Sequence, residues 1–199
     1  MKKALTHLRA ADPVMARLID SGGRYAIRYH DPEFRALARS IVFQQLNGTA
    51  AAAIFDRLEQ ACGGVTPENL LRLRAPELRT AGLSERKAEY LRDLAKHARD
   101  GAVDFAALPR MDDQAIVEAL TQVRGIGDWT VHMFLIFALR RPDVLPVGDY
   151  GIRTAIKNQY GLADLPKPAE MQRIAAPWRP WASVACWYLW RSLDGPAEL

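Results

Sequence analysis

An all-α fold is predicted by apolar residues recurring every three or four positions and by the caps and prolines that delimit each run. No alternating apolar–polar stretch competes with that pattern. The chain has 199 residues, 49% of them hydrophobic and 25% charged. That suffices for one large helical domain or two small ones sharing a core.

From Pro32 to Leu46 the residues Phe34, Leu37, Ala38, Ile41 and Val42 share one helix face. Asn47 and Thr49 are caps for the next run, TAAAAIFDRLEQACGG, which closes on Gly63 and Gly64. Thr66-Pro67-Glu68 is a cap followed by proline, the start of a short helix. Ser84 opens a helix with Ala88, Leu91, Leu94 and Ala95 inward, ending at Gly101. Asp112 and Asp113 begin another, with Ile116, Ala119, Leu120 and Val123 on one side. Trp129 to Leu139 is apolar nearly all round and reads as a buried central helix. Arg141-Pro142 stops it, so 142-PDVLPVG-148 is extended or turned. A helix then runs from Asp149 towards Tyr160, with Ile152, Ala155 and Ile156 inward and Gly161 at its end. The prolines of 166-PKP-168 lead to a short helix. Pro177 and Pro180 precede the last one, 181-WASVACWYLWRSL-193.

Cys62 and Cys186 give neither metal-type spacing nor a disulfide framework, which points to a reducing compartment. His7, Arg9 and Asp12 follow MKKAL before an apolar signal core forms. The longest apolar run, Val131 to Leu139, contains His132 and is too short for a bilayer. The expectation is a cytoplasmic protein with no membrane partner. A net charge of +4 and an isoelectric point near 9.2 tilt it towards an anionic partner.

Between two helical runs lies 121-TQVRGIGDWTVHMF-134. Glycine inside a helix costs about 1 kcal/mol against alanine, so Gly125 and Gly127 mark a break. A dinucleotide fingerprint would need a preceding strand and a glycine where this chain has Thr130. The helical pattern of QAIVEALTQV excludes it. Two readings remain: a plain interhelical turn, or a helix-hairpin-helix. In the second, bare backbone presses against a DNA phosphate and amides of the following helix donate to it. Asp149 lies downstream in 145-LPVGDYGIRTA-155. The central helix covers about 16 Å, and the extended link can bring the chain back over that distance. Asp149 then either serves as an ordinary N-cap or returns near the hairpin.

V-R-G-I-G-D-W-T followed by L-P-V-G-D-Y resembles the helix-hairpin-helix DNA glycosylases, which carry a Gly/Pro-rich loop and an Asp. Among them it is most similar to the alkylpurine glycosylases of the 3-methyladenine DNA glycosylase II type. Two further stretches support the likeness, 40-SIVFQQLNGTAAAAI-54 and the aromatic 178-WRPWASVACWYLW-190. The resemblance runs from about Pro32 to Trp190.

It implies two helical lobes, residues 31–129 and residues 1–30 plus 130–199, with a DNA-binding cleft between them. It implies that Asp149 stabilises an oxocarbenium-like sugar and activates water. Trp129, Tyr150, Trp190 and Met133 would form the base pocket, where aromatic faces hold a flipped, cationic base. The family often has an aromatic residue where this chain has Met133. Leu46 would be the wedge, flanked by Gln45 and Asn47. Gly125, Ile126, Gly127 and Thr130 would meet the phosphates. Backbone carbonyls of Thr121, Val123 and Ile126 would hold a monovalent cation. Tryptophan at 129, where bifunctional relatives place a lysine, implies hydrolysis without strand cleavage. Two cysteines cannot build the four-cysteine iron–sulfur cluster of endonuclease III relatives, and no catalytic cofactor is implied. The expected partner is double-stranded DNA with damaged bases, bound by a monomer. The rivals are a glycosylase for oxidised or mismatched bases, a non-catalytic DNA-structure-binding module, and a helical protein unrelated to DNA.

Overall fold

The computed structural model describes residues 1–46 and 48–193, and those residues form helices, turns and extended links. In chain order the helices are α1 (Lys2–Ala11), α2 (Pro13–Ser21), α3 (Phe34–Phe43), α4 (Gly48–Cys62), α5 (Pro67–Arg72) and α6 (Ala75–Thr80). After them come α7 (Glu85–Arg99), α8 (Asp113–Thr121), α9 (Asp128–Phe137), α10 (Tyr150–Tyr160), α11 (Pro168–Ala175) and α12 (Ala182–Arg191). The predicted caps are in place for α5, α7 and α8. Thr66 accepts from the Asn69 amide, Ser84 from the Lys87 amide and Asp112 from the Ala115 amide. Gly161 ends α10 with φ +65, the left-handed conformation that glycine adopts freely. The expected cap Asn47 lies outside the described residues.

The described chain divides into two compact units, His30–Phe134 and a discontinuous one made of Met1–Tyr29 with residues 135–193. The second boundary therefore falls inside α9, between Phe134 and Leu135. Phe134 meets Phe105 edge-on at 6.5 Å, and Phe105 meets Phe34 at 6.1 Å, so the first turns of α9 pack with the His30–Phe134 unit. Helix α7 packs on α3 and α5 around Leu37, Ile41, Leu70, Leu91 and Leu94, all fully buried. Fully burying a leucine contributes roughly 1.5–3 kcal/mol, so this cluster fixes α7 firmly.

In the discontinuous unit the N-terminal segment forms two helices, α1 and α2. Asp12 caps the second one, accepting from the amides of Val14 and Met15. Its other carboxylate oxygen accepts from Tyr160 at 2.5 Å and from the indole of Trp178 at 2.8 Å. A buried carboxylate needs such donors, since leaving it unmatched costs several kcal/mol. Every residue of α12 from Ala182 to Trp190 is buried. Trp187 lies 5.0 Å from Tyr25 and 4.8 Å from Tyr188, ring to ring, so Trp178 and Trp187 are core aromatics. Helix α10 packs on α12, and that contact positions the acid described next.

Candidate active site and glycine hairpin

Asp149 enters α10 as its N-cap, with φ −75 and ψ 120. A turn delivers it: the Val147 amide donates to Leu145 O and the Asp149 amide to Pro146 O. Its Oδ1 accepts the Ile152 amide at 2.7 Å and the Trp190 indole N–H at 2.9 Å. At 8% exposure the carboxylate is almost enclosed, and it sits at the positive end of the α10 dipole. Trp190 is itself 6% exposed and stacks on Phe137 at 5.7 Å, with a 30° tilt between rings. A Cβ on Gly151 would come within 3.1 Å of Asp149 Oδ1 and 3.3 Å of Trp190 Cδ1, so a side chain there would make the carboxylate or the indole give by a few tenths of an ångström. Desolvation raises the fully buried Cys186 thiol, with Asp149 adding to the effect, so Cys186 stays a neutral core residue.

Thus Asp149 is both the N-cap of α10 and a carboxylate held by a second donor from α12. Trp190 was expected only as a pocket wall. The structure makes it a hydrogen-bond donor to the acid, a pairing that sequence spacing does not reveal. Tyr150, next along the chain, is 70% exposed, an aromatic face open to solvent.

The hairpin belongs to the His30–Phe134 unit. Gly125 has φ +84, and a Cβ there would strike the Tyr90 ring at 2.1 Å. The turn is closed by the Ile126 amide on Val123 O at 3.1 Å, and Ile126 is buried. Asp93 Oδ2 accepts the Arg124 amide at 2.8 Å, tying the turn to α7. Gly127 differs: no atom lies within 4 Å of a Cβ built there, and the residue is exposed. The fold needs glycine at 125 and has no need of it at 127.

Trp129 is half-buried in the first turn of α9. Thr130 is 3% exposed, which withdraws its hydroxyl from the expected phosphate contact and leaves only its backbone for that purpose. Met133, at 4% exposure, is a buried residue of α9. Leu46 is 41% exposed. The helix expected to reach it ends at Phe43, because Gln44 leaves the helical conformation with ψ 128 and Gln45 then takes φ +57. Gln44, absent from the expected site, donates its side-chain amide to Gly125 O at 2.9 Å.

A helical chain with a glycine hairpin, and an acid capping a later helix, is the pattern of a helix-hairpin-helix repair protein. The chain belongs to the HhH-GPD superfamily of base excision DNA repair proteins, whose model matches residues 38–180. Among its relatives, the Bacillus subtilis protein YfjP is 36% identical over 169 residues, which are 81% of this chain and 59% of that one. This chain thus spans about three fifths of that relative's length. The structure is also similar to a DNA-3-methyladenine glycosidase from Bacillus halodurans, with a TM-score of 0.86 at 37% identity, covering 96% of this chain and 89% of that one. A Schizosaccharomyces pombe 3-methyladenine DNA glycosylase, solved in complex with abasic DNA, gives a TM-score of 0.86 at 31% identity and covers 97% of each chain.

Proposed function

We propose that this protein is a monofunctional DNA glycosylase that flips alkylated bases of the 3-methyladenine type from duplex DNA and hydrolyses their N-glycosidic bond. The observation that carries this reading is the carboxylate of Asp149, held through Oδ1 by the Trp190 indole and the Ile152 amide. As the base leaves, the sugar approaches an oxocarbenium ion. A fixed, nearly enclosed carboxylate stabilises that charge more strongly than a solvated one. It also accepts a proton from the attacking water. An alkylated purine is commonly cationic and departs without much acid assistance.

Tyr150 and Trp129 offer π faces to an electron-poor base. Leu46 enters the gap left in the stack. The bare backbone from Gly125 to Gly127 meets a phosphate, and Trp129 supplies no amine for a Schiff base. A monovalent cation would be held by the carbonyls of Thr121, Val123 and Ile126. The Ile126 amide occupies only one of the two lone pairs on Val123 O, and neutral carbonyl oxygens are the donor class such cations take. There the cation would add positive charge beside the phosphate. The protein acts on chromosomal DNA in the cytoplasm, as a monomer; no helix among the described residues is long and apolar enough to cross a membrane.

The test is incubation with duplex DNA methylated at purines and identification of the released bases by mass. Free 3-methyladenine or 7-methylguanine supports the reading. Salt-sensitive DNA binding without release of any alkylated base overturns it in favour of another lesion class or of binding alone.

A further inference from the structure

Helix α3 ends where the wedge loop begins, and its last carbonyls lose their helical partners. The Leu46 amide reaches Phe43 O at 3.3 Å, leaving Val42 O and Gln44 O to other donors. Both are taken by one side chain. Lys87 of α7 donates its ammonium to Val42 O at 2.6 Å and to Gln44 O at 2.9 Å. A cation at a helix C-terminus also meets the negative end of the dipole. Desolvation lowers the Lys87 pKa, as expected for a half-buried ammonium.

The same helix holds the hairpin. Tyr90, one turn on, fills the space that the missing Gly125 side chain leaves, and Asp93, a turn further, accepts the Arg124 amide. Residues three apart on a helix adjoin, so Lys87, Tyr90 and Asp93 form one stripe along α7. Gln44 closes the circuit: its carbonyl is held by Lys87 and its side-chain amide binds Gly125 O. Beside them lies a crevice of about 470 Å³, lined by Gln45, Leu46, Arg86 and Tyr90 among others.

We propose that Lys87 is a positioning residue for strand opening, clamping the wedge loop onto α7 so that exposed Leu46 is presented at a fixed offset from the glycine hairpin. This rests on the glycosylase reading above. An unclamped loop leaves Leu46 free to wander, and inserting it into the stack then carries an added ordering cost. The clamp matters only where a base must be forced from the stack.

The test compares Lys87→Met and Lys87→Arg with wild type, on folded protein checked by thermal melting. Leu46→Ala serves as the benchmark for lost wedging. Single-turnover base release is measured with the alkylated base in a matched pair and with the same base opposite an abasic site, where opening is already cheap. Lys87→Met is expected to slow release from the matched duplex about tenfold and from the unpaired site less than about twofold, with Lys87→Arg restoring most of the rate. Equal slowing on both substrates, or no slowing on either, overturns the clamp. A second readout does not depend on chemistry: fluorescence of 2-aminopurine at the lesion position, which rises on unstacking. If wild type releases no base yet raises this signal, the glycosylase reading fails. The clamp then stands if Lys87→Met loses the rise, and falls if it keeps it. A wild type that neither releases nor unstacks overturns both.

Discussion

Trp190 donates its indole N–H to the carboxylate oxygen of Asp149 that also caps α10, so one oxygen atom joins the acid, the last helix and the start of α10. Replacing Trp190 by phenylalanine keeps an aromatic ring against Phe137 and removes the donor. Base release per folded molecule should fall about tenfold, the scale of one charge-assisted hydrogen bond. The smaller ring should cost about 1–3 kcal/mol of stability. Single-turnover kinetics beside a denaturant melt separate the two effects.

Gly151→Ala probes the same oxygen from the other side. The added methyl lies at 3.1 Å from Oδ1 and 3.3 Å from the indole, so carboxylate or ring must shift. Alanine favours the helix by roughly 1 kcal/mol, so stability should change little while release slows severalfold. A variant as fast as wild type would show that the orientation of Asp149 has slack.

The two hairpin glycines should fail differently. Gly125→Ala meets both a positive φ and the Tyr90 ring, and should lose about 2 kcal/mol or more of stability. Gly127→Ala meets nothing within the chain and should melt as wild type does, yet bind duplex DNA several times more weakly because its methyl holds off a phosphate. Melting curves and binding isotherms at matched salt check both halves.

His132 Nδ1 is buried without a hydrogen-bond partner, and burial pushes its imidazole below the ordinary 6.5 despite the opposing pull of Asp128 and Asp113. The unfolded chain therefore takes up the proton first as pH falls. The contribution of His132 is complete above about pH 6.5 and lost as pH falls through the folded value. Melting temperatures between about pH 7 and pH 5 should drop more steeply for wild type than for His132→Gln.

Local signals made much of this fold legible. Thr66, Ser84 and Asp112 announce helix starts because a cap acts on amides two or three residues away, a distance the sequence displays directly. Gly125 was legible for the same reason, its turn being local. The end of α3 was misread because the helical pattern continues to Leu46 while Gln45, a residue with no turn preference, takes the left-handed conformation. Lys87 and Gln44 gave no signal: each binds backbone carbonyls far along the chain, and any lysine or glutamine looks alike in sequence. The burial of Met133 and Thr130 was not legible either, because position along α9 does not tell how deeply a side chain sits.

The central claim is that Asp149 performs chemistry beyond capping α10, and Asp149→Asn tests it most directly. Asparagine is as good an N-cap as aspartate and still accepts from Ile152 and Trp190, so fold and DNA affinity should be retained. Only the negative charge is removed. Measured by single-turnover release of 3-methyladenine from methylated duplex, the variant should be slower by about a hundredfold or more. Release at the wild-type rate, with DNA binding unchanged, would contradict the account.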